Sequence, residues 1–326
     1  MRLHEREDFR ALLTQVADRR GFSEYWIEKD YYLTEALRRA KSHLGTRAIL
    51  KGGTSLSKAW SLVVRISEDI DLVLDRGEPP GSALTGKEVN NQLRSVAADV
   101  GAFAAFHWDP NKPEKEVGGK ARSDYFAYDS VFPAEAAPLR TAVLLEAGIR
   151  SANWPTEVRP IVSYLGEDLT DAGQRTLASD VDGFEMRALD YRRTFVEKMF
   201  AIHALVERHR EGKSRLGRGA RHYADLYYLA GDVLVQKLVG TEEYGAMYDD
   251  QLAVGKEFFD VGFVSPPAAG FADSAALFPE TKLRGDLRQE YERDVRPLFG
   301  SRGFPSFDDV LRRFEQLRQK LQNPMS

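Results

Sequence analysis

The stretch LKGGTSLSKAWSLVVRISEDIDLVL, from Leu50 to Leu74, restricts the possible folds more than any other part of this chain. The apolar run Ala48 to Leu50 stops at Lys51-Gly52-Gly53, which reads as a strand entering a tight turn. SLSKAWSLV then has the pattern of a short helix. DIDLVLD alternates strictly. Ile70, Leu72 and Leu74 face one way, while Asp69, Asp71 and Val73 face the other. Strand, glycine turn, helix and strand in that order point to an α/β fold.

The rest of the chain divides by character. SEYWIEKDYYLTEALRRAKSHLG predicts a helix with Ser23 as N-cap and Gly45 as C-cap. KEVNNQLRSVAADVGAF is also helical, with loops expected over 76–86 and 107–123. YFAYDSVF and LRTAVLLEAGIR read as strands, and RPIVSYL as an extended edge piece. Beyond about residue 180 the strong segments are all helical: RRTFVEKMFAIHALVERHR, RHYADLYYLAGDVLVQKL, GDLRQEYERDVRPLF and FDDVLRRFEQLRQKL. The expectation is an α/β (α+β) protein with two domains. Residues 1–180 would form a mixed sheet flanked by helices, and 181–326 a mostly α-helical domain.

Composition excludes several chemistries. There is no Cys, so disulfides, thiolate metal sites and cysteine nucleophiles are ruled out. The six histidines (His4, His43, His107, His203, His209, His222) lack metal-ligand spacing. MRLHEREDFR is too charged to begin a signal peptide, and no apolar run would span a bilayer, so a cytoplasmic protein is expected. The formal net charge of −4 argues against wholesale coating of nucleic acid. Arg192 to Arg221 nevertheless holds nine Lys/Arg against three Glu. That excess is either a solvated helix face with a basic glycine-bearing loop (212–219) or a surface for phosphates.

The opening stretch carries the chemistry. Asp69 and Asp71 share one face of a strand, roughly 7 Å apart, and would repel unless a cation lay between them. Mg²⁺ prefers oxygen ligands and commonly joins carboxylates to substrate phosphates. Gly52 and Gly53 let backbone N–H groups approach an anion, with the following helix's positive end behind them. Thr54, Ser55 and Ser57 add hydroxyls. A phosphate cradle followed by a carboxylate strand suits metal-assisted phosphoryl or nucleotidyl transfer. The Walker A pattern is absent, which argues against an ordinary NTPase.

KGGTSLSK followed by RISEDIDLVL resembles the AbiEii/AbiGii group of nucleotidyltransferase toxins, relatives of the DNA polymerase β superfamily. Arg65, Ser67, Asp69 and Asp71 match the group's Arg-x-Ser-x-Asp-x-Asp lead-in, and WIEKDYYLTEAL looks like its leading helix. RRTFVEKMFAIHAL and RHYADLYYL resemble two later segments, so that the likeness covers roughly residues 20–230. The resemblance implies a Mg²⁺-dependent transfer of NMP from an NTP to an acceptor hydroxyl. Asp69 and Asp71 would hold metal, and Lys51, Gly52, Gly53, Thr54 and Ser55 would surround the phosphates. Glu146, a carboxylate within the apolar strand LLEAGIR, would be the third acid, either ligand or base; alternatively it pairs with Arg150. Lys198 and Arg65 would neutralise the triphosphate and Asp225 would position it, unless Asp225 simply pairs with Arg221 one helical turn away. The helical domain would complete the NTP site.

For the acceptor, the resemblance implies the 3′ end of tRNA, with translation blocked and a cognate antitoxin as partner. Three other readings stay open: a transferase acting on a small molecule or protein hydroxyl, an inactive RNA- or partner-binding protein, and an antitoxin-like regulator. The last would need a helix-turn-helix that the sequence does not display.

Overall fold

The computed structural model describes residues 1–65, 67–77, 83–133, 140–259, 263–299 and 303–322. Residues 78–82 of the expected loop 76–86 lie outside that set. The chain forms two compact units. One comprises Met1–Ser61 and Ile66–Leu189, the other Leu62–Arg65 and Asp190–Ser326.

The first unit is built on a seven-stranded mixed sheet. Its elements in chain order are α1 (Phe9–Arg20), α2 (Glu24–Leu44), β1 (Ala48–Lys51), the turn α3 (Gly52–Thr54), β2 (Asp69–Leu74), α4 (Gly86–Gly101), β3 (Lys115–Val117), β4 (Ala121–Ala127), β5 (Ala142–Gly148), β6 (Thr156–Ile161), α5 (Tyr164–Asp171) and β7 (Phe184–Leu189). The strand order is β3-β4-β5-β2-β1-β7-β6, so β1 and β2 sit in the interior of the sheet. Strand β2 pairs antiparallel with β1 and parallel with β5. Ala48, Ile49 and Leu50 are fully buried, as an apolar run inside a two-sided sheet should be.

On β2 the predicted alternation holds for Ile70, Leu72 and Leu74, which are buried. Val73, on the opposite face, is buried as well, in a cluster with Ile49 and Leu189. The face carrying Asp69 and Asp71 thus turns apolar two residues further on. Helix α2 packs against α1, α4 and β5 and is buried around most of its circumference. Ser23 and Gly45 take the two cap positions as expected, with Gly45 at φ +61.

The second unit is helical: α6 (Tyr191–Arg210), α7 (Arg221–Gly231), α8 (Val233–Leu238), α9 (Glu242–Phe259), α10 (Thr281–Val295) and α11 (Phe307–Leu317). Its core includes Tyr223, Tyr291 and Phe307, whose rings meet at centroid distances of 5.0–6.1 Å.

The structure departs from sequence expectation in identifiable places. The expected domain boundary at 180 precedes β7, whose six residues pair with β6, two of them also with β1, so that β7 stays with the sheet. The expected loop 107–123 contains β3 and the start of β4, where Lys115 to Val117 pair with Ala121 to Ser123. Four of these six residues are polar or charged and β3 is the sheet edge, so the segment lacks the apolar signature. RPIVSYL ends as a strand at Ile161, and Tyr164 already opens α5. The single helix expected over RHYADLYYLAGDVLVQKL is two, because Asp232 leaves helical geometry and its carboxylate caps α8 through the N–H groups of Leu234 and Val235.

Candidate active site

Strand β1 ends at Lys51, and the chain turns at Gly52 with φ +68, a conformation open to glycine at little cost. The helix that follows is short: one turn over Gly52–Thr54, then a wider turn over Ser55–Ala59. A helix this brief has little macrodipole, so anion affinity would rest on the turn's own N–H groups. Thr54 is buried and its hydroxyl donates to the Asp69 carbonyl, tying the turn to the start of β2. The Ser55 hydroxyl is buried without a hydrogen-bond partner.

The first glycine of the motif therefore has a specific neighbour. A Cβ on Gly52 would lie 2.2 Å from Oδ2 of Asp71. Only a residue without a side chain leaves that carboxylate its place beside the turn. Gly52→Ala should destabilise the fold by about 1–2 kcal/mol through its left-handed backbone alone. Displacement of Asp71 should cut about a hundredfold any metal-assisted transfer that the turn and the acid strand support. Thermal melts and transfer assays on the variant check both.

Cross-strand register brings the predicted acids together. Asp71 is the Cα partner of Lys51 on β1 and of Glu146 on β5, and Glu146 is in turn the partner of Ser123 on β4. One row across the sheet thus reads Lys51, Asp71, Glu146, Ser123, with Asp69 two residues along β2 on the same face. Asp69 and Asp71 are half-buried and Glu146 is exposed, between buried Leu145 and Ala147. The Ser123 hydroxyl donates to Glu146 Oε1 at 3.3 Å, and Lys51 Nζ donates to the Ser151 hydroxyl at 2.9 Å.

Among the described residues, no three Asp, Glu, His or Cys side chains stand close enough to form a ready metal site. The donor set nonetheless fits a hard divalent cation. It consists of three carboxylates on one sheet face, two of them in direct register, beside a cradle that a single Cβ would fill.

The other predicted residues, Arg65, Lys198 and Asp225, meet in the second unit. Arg65 Nε and Nη2 each donate to a different oxygen of Asp225 at 2.7 Å, a bidentate pair. Lys198 Nζ lies 2.7 Å from Asp225 Oδ2 and 3.4 Å from His222 Nδ1. Arg65, Lys198 and Asp225 are all buried. Burial by itself would raise the Asp225 carboxyl, but Arg65 and Lys198 outweigh it and hold Asp225 well below the usual carboxylate range. Burial lowers the Lys198 ammonium, against the pull of Asp225. Burial, then the positive charge of Lys198 and Arg221, pushes His222 well below the usual imidazole range, so it is neutral near pH 7.

The basic window 192–221 is less free than its composition suggests. Arg193 is fully buried and paired with Asp250 at 2.7 Å, and Lys198 is taken by Asp225. Arg192 pairs with Asp190 and Glu243, and Arg215 lies 3.6 Å from Glu290. All these acids except Glu290 lie within sixty residues of their partner, but every one lies outside the window. Arg210, Lys213, Arg215 and Arg218 are exposed, with Arg210 paired to Glu207 and Lys213 to Glu211 inside the window.

Sequence reading missed the polar interior of α2. Glu28, Lys29, Asp30 and Glu35 are buried there, and Asp30 pairs with Lys58 in the turn after the glycines. The signal was a Glu-Lys-Asp run framed by Ile27 and Tyr31 on an otherwise apolar helix.

A family model described as nucleotidyl transferase AbiEii toxin, type IV toxin–antitoxin system, matches residues 35–313. Among solved structures, the chain is similar to MenT4, a nucleotidyltransferase toxin from Mycobacterium tuberculosis H37Rv, at 15% identity and a TM-score of 0.49. That similarity covers 96% of this chain and 97% of the other. No curated protein matches.

Proposed function

Because the chain belongs to the AbiEii family of nucleotidyltransferase toxins, we propose that it moves NMP from an NTP to the 3′ end of tRNA, using Mg²⁺, and so blocks translation. The observation that supports this best is the sheet row in which Asp71 and Glu146 are in register beside the Gly52 turn. Asp69, Asp71 and Glu146 would hold Mg²⁺, which when bound supplies positive charge against the phosphate oxygens. Lys51 and the turn Gly52, Gly53, Thr54 and Ser55 bind and orient the β- and γ-phosphates. The acceptor oxygen forms a bond to the α-phosphorus as the bond to the bridging oxygen breaks, and pyrophosphate leaves. Glu146, the exposed acid, either completes that ligand set or takes the hydroxyl proton. Within the second unit Asp225 orients Lys198 and Arg65, the two cations that the family pattern assigns to the triphosphate.

The proposed setting is the cytoplasm, with a cognate antitoxin as partner. Among the described residues no helix is long and apolar enough to cross a membrane. One observation favours a second acceptor class, a small molecule or protein hydroxyl. Several cations of the basic window are committed to internal acids, which leaves a smaller surface for RNA.

The test is incubation of the protein with Mg²⁺ and each α-³²P NTP in turn, with total tRNA as acceptor and Asp71→Asn as control. The expected result is label in tRNA, absent from the control, with acceptor affinity falling steeply as salt rises. Label in protein or a small acceptor, with little salt dependence, would replace the acceptor while keeping the chemistry. No label in any acceptor would overturn the proposal.

A further inference from the structure

Four charged side chains buried on one helix call for explanation, since each needs a partner to offset its lost hydration. Three of the four on α2 serve segments away from the glycine turn. Glu28 accepts from the Ser130 hydroxyl and the Val131 N–H, Lys29 donates to the Arg140 and Ala142 carbonyls, and Glu35 holds Arg2 and Arg38. Asp30 differs, because its partner lies in the turn that follows the glycines.

Lys58 Nζ is 2.6 Å from Asp30 Oδ1 and donates to the Val162 carbonyl at 3.0 Å. It also sits over the Tyr164 ring, 5.1 Å from the centroid. The lysine side chain is only 3% exposed, so its charge is spent inside the protein and is not available to a ligand. The second oxygen of Asp30 accepts from the Tyr164 N–H at 2.8 Å, at the start of α5. One carboxylate therefore joins three elements: α2, α5 and the turn 52–59.

The same turn has anchors on its other side. The Thr54 hydroxyl donates to the Asp69 carbonyl, Arg159 Nε donates to the Ala59 carbonyl at 3.0 Å, and Trp60 Nε1 donates to the Leu189 carbonyl at 3.1 Å. Arg159 also lies over the Trp60 ring. These bonds attach the turn to β2, β6 and β7. The Asp30–Lys58 pair attaches it to the helical layer and so sets its tilt on the sheet.

We propose that Asp30, acting through Lys58, is a positioning residue that holds the glycine turn in the orientation that receives the nucleotide's phosphates. This rests on the reading that the turn binds phosphate. Loss of the pair leaves the sheet-side anchors, so the turn should stay attached and lose orientation.

The experiment compares wild type, Lys58→Arg and the double variant Asp30→Asn/Lys58→Met. The double variant leaves no unpaired buried charge, so it should melt within about 5 °C of wild type. Its KM for NTP should rise about tenfold, with the acceptor KM unchanged, because the defect is confined to phosphate orientation. Lys58→Arg, which keeps the ion pair, should stay within about threefold of wild type. A wild-type nucleotide KM in the double variant overturns the proposal. So does a parallel rise in both KM values with a lowered melting temperature, the mark of a merely structural role. Gly52→Ala separates this from the underlying reading. If it raises nucleotide KM while the double variant does not, only the positioning role fails. If neither variant moves it, the phosphate reading of the turn fails.

Discussion

Asp71→Asn should lower nucleotide transfer by at least about a thousandfold, equivalent to about 4 kcal/mol of transition-state stabilisation. The protein should still melt at or slightly above the wild-type temperature. Asp71 lies between Lys51 and Glu146 in the sheet, with Asp69 on the same face. Without a cation, that arrangement gathers like charge, so neutralising one acid relieves repulsion. The amide is nearly the same size and keeps the clearance against Gly52, so packing should not suffer. What it loses is the negative oxygen that a hard cation and a triphosphate site require. The check is a transfer assay with a thermal melt on the same preparation. Full activity in the variant would remove Asp71 from the metal set, and a large fall in melting temperature would make it structural.

The second large effect belongs to Asp225. Asp225→Asn should cost the second unit about 3–5 kcal/mol, because it leaves Arg65 and Lys198 buried without their counter-ion. The carboxylate is fully buried and three charge-assisted contacts converge on it, so solvent screening offers no relief. The pH dependence follows. Arg65 and Lys198 depress the folded-state acid below its unfolded value of 3.8, so this stability is fully present above that pH. It is lost as pH falls from about 4 toward the lower folded value. Wild type should therefore lose stability in acid more steeply than the variant. Chemical denaturation at pH 7 and near pH 3 measures both, and equal curves for the two proteins would contradict the assignment.

Much of the candidate site's turn-and-strand segment was legible in the sequence because its signals are local. Alternation along DIDLVL placed Asp69 and Asp71 on one face of a strand, and Gly52-Gly53 marked the turn. The mixed sheet with a helical C-terminal part was readable from segment character, and it is the architecture observed. The edge pieces were less legible. Strand β3 is polar because it lies at the sheet margin, and a polar strand looks like a loop. The break at Asp232 was hidden because the residues on both sides share helical periodicity, and one capping carboxylate decides the matter.

The basic excess between Arg192 and Arg221 is a property of the linear chain, whereas charges are neutralised in space. Asp190, Glu243, Asp250, Asp225 and Glu290 all reach into the window from outside it. The i−4 pairing of Asp225 with Arg221 was the local option. The partners found are Arg65 and Lys198, of which Arg65 is 160 residues away in sequence.

By itself, then, the sequence determined where the glycine turn and the acid strand lie, which class of chemistry they suit, and that the chain divides into a sheet part and a helical part. Periodicity and turn preference are properties of neighbouring residues, so a linear reading reaches them. Only the tertiary structure decided that Glu146 stands in register with Asp71, that Asp30 secures Lys58, and that Asp225 joins Arg65 to Lys198. Those pairings bring together residues from distant parts of the chain. They depend on which strands pair and which charges must find partners away from water, and no local pattern encodes either.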